Sequence, residues 1–158
     1  MLNKKQKKGD LGQHWTPPET VAFMIDLLEN RESILEPTAG SGRFLDQLTK
    51  LNFEEVKAVE VDEKIISSNY ASIYDIDNFF NWQGSEYESI IGNPPYVNGK
   101  LIDEITINLI KNCKKLELPI TSNLYLHVIE KCVKYHLKNM GEIVFIVPDT
   151  LMSKSSKD

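Results

Sequence analysis

Four consecutive residues, Asn93, Pro94, Pro95 and Tyr96, carry groups that could act together on a planar amine. The amide oxygen of Asn93 and the carbonyl of Pro94, which a rigid Pro-Pro backbone can hold in the same direction, could accept both hydrogens of one NH2 group. Tyr96 adds a ring face on which a base can stack, an interaction of about 1 to 3 kcal/mol. The exocyclic amine of adenine is a poor nucleophile because its lone pair is delocalised into the ring. Two acceptors on its hydrogens would localise that pair. Set in line with a methyl on sulfonium, the amine could then attack directly, so the chemistry asks for positioning and electrostatics and for no covalent intermediate. The plain alternative is that Asn-Pro-Pro is a turn and Tyr96 a rim aromatic.

A second group of residues could hold the methyl donor. Glu36, Pro37, Thr38, Ala39, Gly40, Ser41, Gly42, Arg43 and Phe44 form a loop whose glycines lack Cβ and so let backbone approach a ligand closely. A tight turn alone would also explain two glycines. Glu60, however, lies 20 residues beyond Gly40, the separation at which an acidic side chain takes the two hydroxyls of a ribose. The chain has no GxGxxG and no Gly-Lys-Ser/Thr, so a pyrophosphate cradle is excluded. A cofactor with a ribose and no phosphate fits, and S-adenosylmethionine is the candidate.

The elements that must position these groups follow from periodicity. Thr16, Pro17, Pro18 and Glu19 read as a helix start, with Thr16 as N-cap and Glu19 completing a capping box, and the helix should run to about residue 29. Strands are expected at 33–36, 56–61, 72–75, 88–92 and 142–147. Helices are expected from the glycine loop to 50, at 62–70, at 101–115 and at 122–139, the last closed by Gly141 in a left-handed cap. The run 143–147 reads as a strand buried on both faces. Strands alternating with helices predict an α/β fold with a doubly wound, mostly parallel sheet, which places ligands outside the carboxyl ends of the strands, where Gly40, Glu60 and Asn93 fall.

Composition sets the frame. A chain of 158 residues, 41% hydrophobic and 26% charged, fits one globular domain and excludes disordered and coiled-coil classes. No apolar run approaches the ~20 residues needed to span a bilayer, and none follows the basic start of Lys4, Lys5, Lys7 and Lys8, so a cytoplasmic protein is expected. Cys113 and Cys132 then read as reduced core thiols. His14, His127 and His136 are not at metal-ligand spacing, and no metal is expected. The net charge of -5 gives no general field for phosphates, so any nucleic-acid surface must be local or lie elsewhere.

Glu36 to Phe44, the Val59-Glu60-Val61-Asp62 strand end and Asn93 to Tyr96, in this order, make the chain resemble the amino-terminal part of the gamma-class N6-adenine DNA methyltransferases of restriction-modification systems. The resemblance covers residues 12–152 and includes Trp15 to Glu19, Asn123-Leu124-Tyr125 and Ile143 to Pro148. It implies a Rossmann-like methyltransferase fold in which Thr16, Glu36, Pro37, Thr38, Ala39, Gly40, Gly42 and Pro95 surround S-adenosylmethionine, with Glu60 on the ribose. Either Asp77, with an extra residue before Phe79, or Asn78 meets the cofactor's adenine amine. Asn93, Pro94, Pro95 and Tyr96 form the catalytic segment and hold a target adenine flipped from double-stranded DNA. The lysine cluster reads as a flexible basic tail over 1–12, and the resemblance further implies a catalytic domain over 13–158, incomplete at its carboxyl end. The sheet would be cut after its fifth strand, with the target-recognition region missing or separate and an exposed sheet edge open to self-association. Methylation of a glutamine amide or an RNA base, and cofactor binding without turnover, are the other readings.

Overall fold

In the computed structural model, residues 15–149 are described. The expected tail 1–12, with Lys4, Lys5, Lys7 and Lys8, and His14 lie outside them. The strands are β1 (Ser33–Glu36), β2 (Glu55–Glu60), β3 (Tyr74–Ile76), β4 (Tyr87–Gly92) and β5 (Leu137–Phe145), and the helices are α1 (Pro18–Asp26), α2 (Leu45–Leu48), α3 (Glu104–Asn112) and α4 (Leu124–Lys131). All strand pairs are parallel, in the order β3-β2-β1-β4-β5. The doubly wound α/β sheet expected from the sequence is the fold.

The two faces of the sheet separate cleanly because successive strand residues point to opposite sides. Ile34, Ala58 and Ile91 join α1 and α2 through Val21, Met24, Ile25, Leu45 and Leu48 on one face. Their neighbours Leu35, Val59 and Ile90 join Phe79, Phe80, Trp82, Ile110 and Val128 on the other. Among the described residues no helix is long and apolar enough to cross a membrane.

Several boundaries differ from the sequence reading. Pro17, not Thr16, precedes the first turn of α1, and no side chain caps it. Thr16 is buried and its hydroxyl is engaged elsewhere. The helix stops at Asp26 because the Glu29 and Asn30 amides donate to the Glu142 carboxylate of β5 at 2.8–3.1 Å. A helix over 62–70 does not form. Asp62 and Ser67 instead accept from Lys64 and Asn69 amides two residues on, and each closes only a single 3-10 turn.

Helix α2 has one turn, the remainder to residue 50 being turns, and α3 starts only at Glu104, where the Asp103 carboxylate accepts from the Thr106 amide. Helix α4 ends at Lys131, widens through one π turn (Cys132–His136) and enters β5 directly, so Gly141 caps no helix. Met140 takes the left-handed conformation, and Gly141 is required by closeness to β4: a Cβ there would lie 2.8 Å from the Glu88 carbonyl oxygen. Strand β5 is half-buried, not buried on both faces, because it stands at the rim of the described sheet.

Glu142 also accepts from the Ser89 hydroxyl at 2.8 Å, so one carboxylate joins β5, β4 and the loop between α1 and β1. Glu142→Ala leaves those donors without their anion. We expect a loss of about 1 to 3 kcal/mol in urea denaturation, with Glu142→Gln recovering part of it. Unchanged stability of Glu142→Ala would contradict this role.

Candidate functional site

Four strand ends and the entry to α1 converge at the carboxyl edge of the sheet. The chain leaves β1 into the glycine loop, with Gly40 and Gly42 both at positive φ (57° and 87°). A Cβ on Gly40 would meet no atom within 4 Å, so this part of the loop borders open space. Gly42 has a packing reason instead, since its Cβ would fall 2.8 Å from the Tyr74 hydroxyl. That hydroxyl donates to the Gly40 carbonyl at 3.0 Å. The sequence reading missed Tyr74, which carried no signal beyond an aromatic residue in a weak strand.

Glu60 is buried and engaged with backbone. Its Oε2 accepts from the Gly40 amide at 2.8 Å, and its Oε1 accepts from the Val61 and Asp62 amides, each at 2.9 Å. The Ala39 amide donates to the Val59 carbonyl at 2.9 Å. The glycine loop is therefore clamped to the end of β2. A carboxylate has about four acceptor directions, so a ribose hydroxyl at Glu60 would share an anion that already shapes the loop.

Glu36 and Thr38 form the unsatisfied side of this crevice. Among the described residues, Glu36 Oε2 and Thr38 Oγ1 are buried without a hydrogen-bond partner. Burial first, and the nearby Glu60 carboxylate second, hold the Glu36 carboxyl well above the ordinary range. Pro37 and Ala39 are buried beneath the loop. Such a crevice, with an unmatched carboxyl, an unmatched hydroxyl and an open Gly40, suits a ligand with a cationic polar end.

Beyond β3, the Asp77 amide donates to the Glu60 carbonyl at 3.0 Å, which puts Asp77 beside the Glu60 strand end. Asn78 is spent internally: its Nδ2 donates to Thr106 Oγ1 at 3.1 Å and its Oδ1 accepts from the Phe80 amide at 3.0 Å. Phe79 is buried in the core. Val61 and Ile76, at the ends of β2 and β3, are more than half exposed and form an apolar rim that the sequence reading did not single out.

The Asn-Pro-Pro-Tyr segment leaves β4 next to the glycine loop, since a Cβ on Gly92 would contact both Pro37 and Glu36. Asn93 Nδ2 donates to Thr16 Oγ1 at 3.2 Å, and the Tyr96 hydroxyl lies 2.6 Å from Asn93 Oδ1 and 2.8 Å from the Ile146 carbonyl. Pro94 is buried, Pro95 and Tyr96 half-buried. The Tyr96 ring packs edge-to-face on Tyr125 at 5.8 Å. Thr16 is thus joined directly to Asn93, a contact that spacing could not reveal across 77 residues. The hydroxyl of Tyr96, to which the sequence reading gave no task, ties Asn93 to the end of β5.

A carboxyl whose folded pKa is raised stabilises the fold at acid pH and loses that contribution as pH rises through the raised value. Glu36→Gln, which fixes the uncharged form, should therefore raise the melting temperature of the ligand-free chain at pH 8, with the difference vanishing near pH 4. Equal or lower melting at pH 8 would contradict the assignment.

Comparison with known proteins bears on the family and the fold. The model of the family described as Eco57I restriction-modification methylase matches residues 22–158. Type II methyltransferase M.HincII of Haemophilus influenzae is 34% identical over 161 residues, covering 98% of this chain and 31% of that protein. Modification methylase CviBIII of Paramecium bursaria Chlorella virus NC1A is 31% identical over 164 residues, covering 96% and 41%. The chain spans about a third of the length of such curated relatives. Among solved structures, a Listeria monocytogenes chain described as a class I S-adenosylmethionine-dependent methyltransferase superposes with TM-score 0.65 at 16% identity, over 94% of this chain and 50% of its own. A Vibrio vulnificus chain described as a modification subunit of a type I restriction enzyme superposes with TM-score 0.63 at 17% identity, over 89% and 35%. These two establish the fold, and the sequence matches establish more: the chain belongs to the Eco57I restriction-modification methylase family.

Proposed function

We propose that this chain is the cofactor-binding and catalytic part of a DNA methyltransferase that transfers a methyl group from S-adenosylmethionine to the N6 amine of adenine. The observation that carries the reading is the Asn93 side chain, held between Thr16 and Tyr96 at the end of β4, beside a glycine loop with an unmatched buried carboxyl. Its relatives are named as methyltransferases of type II systems. Bound S-adenosylmethionine would supply a methyl on positively charged sulfur. Glu36 and Thr38 would hold its cationic methionine end, Gly40 would give its backbone room, Glu60 would meet the ribose, and Pro95 would also touch it. Asp77 takes the adenine amine, with Phe79 beneath the turn, because the Asn78 amide is already committed to Thr106 and Phe80.

The target amine is held by Asn93 Oδ1 and the Pro94 carbonyl. Tyr96 has one hydroxyl hydrogen and two acceptors within 2.8 Å, so it serves one at a time. With a base in place, that hydrogen goes to the Ile146 carbonyl and Asn93 Oδ1 turns to the amine. Withdrawing both amine hydrogens toward acceptors raises the lone pair toward the methyl carbon. The flipped base lies on the Tyr96 ring, whose tilt is set by Tyr125. Duplex DNA is the proposed partner, gripped by a target-recognition region joined in cis or in trans.

The test is tritiated methyl transfer to duplex DNA by the chain together with a target-recognition region. Label should appear as N6-methyladenine. Asn93→Ala should lower kcat by a factor of about 100 or more, with S-adenosylhomocysteine affinity changed by less than about threefold, since the amide acts on the amine and not on the cofactor. Label in cytosine, RNA or protein, or a wild-type rate in Asn93→Ala, would contradict the proposal.

A further inference from the structure

Lys131 is a lysine with 1% exposure, and none of the ion pairs among the described residues involves it. Its Nζ donates to two backbone carbonyls, Phe79 O at 2.5 Å and Trp82 O at 2.8 Å, and lies 5.0 Å from the centre of the Phe79 ring. Burying an ammonium is costly unless its donors are satisfied. Here both observed acceptors belong to one turn, so the charge serves that turn.

The turn is the one that follows β3. The Asn81 and Trp82 amides donate to the Asn78 carbonyl at 2.8 and 3.0 Å. The Asp77 carboxylate accepts from the Asn78 amide at 2.7 Å and from Asn81 Nδ2 at 2.9–3.0 Å. Lys131 grips the carbonyls of this turn from α4, and Thr106 grips its Asn78 amide group from α3 at 3.1 Å. Two helices behind the sheet thus hold the turn that carries the Asp77 carboxylate.

We propose that Lys131 and Thr106 are positioning residues for the adenine subsite of the cofactor: they lock the 77–82 turn so that the Asp77 carboxylate is aimed at the amine of the cofactor's base. The proposal rests on the cofactor reading above. It also gives α4 two tasks, since Tyr125 near its start packs on Tyr96 and Lys131 at its end holds the turn. Over that span a helix rises only about 9 Å, so one rigid rod links the base-stacking ring to the cofactor's base.

A merely structural Lys131 would, when replaced, weaken every ligand alike. A positioning role changes the choice between ligands. The experiment is calorimetric titration of S-adenosylhomocysteine and S-inosylhomocysteine, whose base carries an oxygen in place of the amine, into the wild-type chain, Lys131→Met and Thr106→Val. Wild type should prefer the adenosyl ligand about tenfold or more, the size of one charge-assisted hydrogen bond. Lys131→Met should bring the preference below about threefold, and Thr106→Val should lower it in the same direction. If Lys131→Met does not fold, the near-isosteric Thr106→Val decides. A wild-type preference ratio in the folded variants overturns the positioning role, whatever happens to stability. Failure of the wild-type chain to bind either ligand instead overturns the cofactor reading beneath it.

Discussion

The site depends on one carboxylate that binds backbone. Glu60 takes the amides of Gly40, Val61 and Asp62 at 2.8–2.9 Å, and so holds the left-handed glycine loop against the end of the neighbouring strand. The Ala39 amide on the Val59 carbonyl and the Tyr74 hydroxyl on the Gly40 carbonyl hold the same loop beside that clamp. The clamp works because a parallel sheet brings the carboxyl ends of β1 and β2 side by side, with Glu36 in register with Ala58 two residues before Glu60. The Glu60 side chain has its backbone donors, whereas the neighbouring Glu36, with an oxygen left unmatched, is pushed toward its neutral form by burial and by the nearby Glu60. Two carboxyl groups in one crevice thus have different duties, set by which amides surround them.

A second organising contact joins elements that are far apart in sequence. Thr16, Asn93, Tyr96 and Ile146 line up from the entry of α1, across the end of β4, to the end of β5, with the single Tyr96 hydroxyl hydrogen within reach of both Asn93 Oδ1 and the Ile146 carbonyl. Through Tyr125, α4 supports the same place from behind, and the Leu124 amide donates to the Val97 carbonyl at 2.9 Å. The catalytic segment proposed here is therefore held on three sides, which is the pre-organisation that a reaction driven by positioning requires.

Much of this was legible in the sequence because strand ends announce themselves. Pro37 and Pro94 stop β1 and β4, glycines mark the turn to αL, and the apolar runs between them leave little freedom in register. The five strands, their winding and the grouping of Gly40, Glu60 and Asn93 followed from those signals. What escaped were side chains whose role depends on a distant partner. Thr16 has the residue type of an N-cap, yet its hydroxyl meets Asn93; Gly141 has the residue type of a helix cap, yet it is needed where backbone passes close to Glu88. The 62–70 segment has a capping aspartate, but Asp62 and Ser67 bind their own backbone more readily than a helix would. Nothing in the sequence singles out Lys131, because periodicity cannot show that a turn about 50 residues earlier supplies two carbonyls.

The central claim is that the ends of β1, β2, β3 and β4 form one site for an adenosine-containing cofactor, with Asn93 at its border. Its most direct test is amide-resolved NMR of the isotopically labelled chain during titration with S-adenosylhomocysteine. The account predicts saturable shifts confined to the glycine loop around Gly40, the Val61 and Asp62 amides, the Asp77 turn and the Asn93 side-chain amide. No shifts, or shifts centred on the opposite edge of the sheet around Glu142 and Asn30, would contradict it.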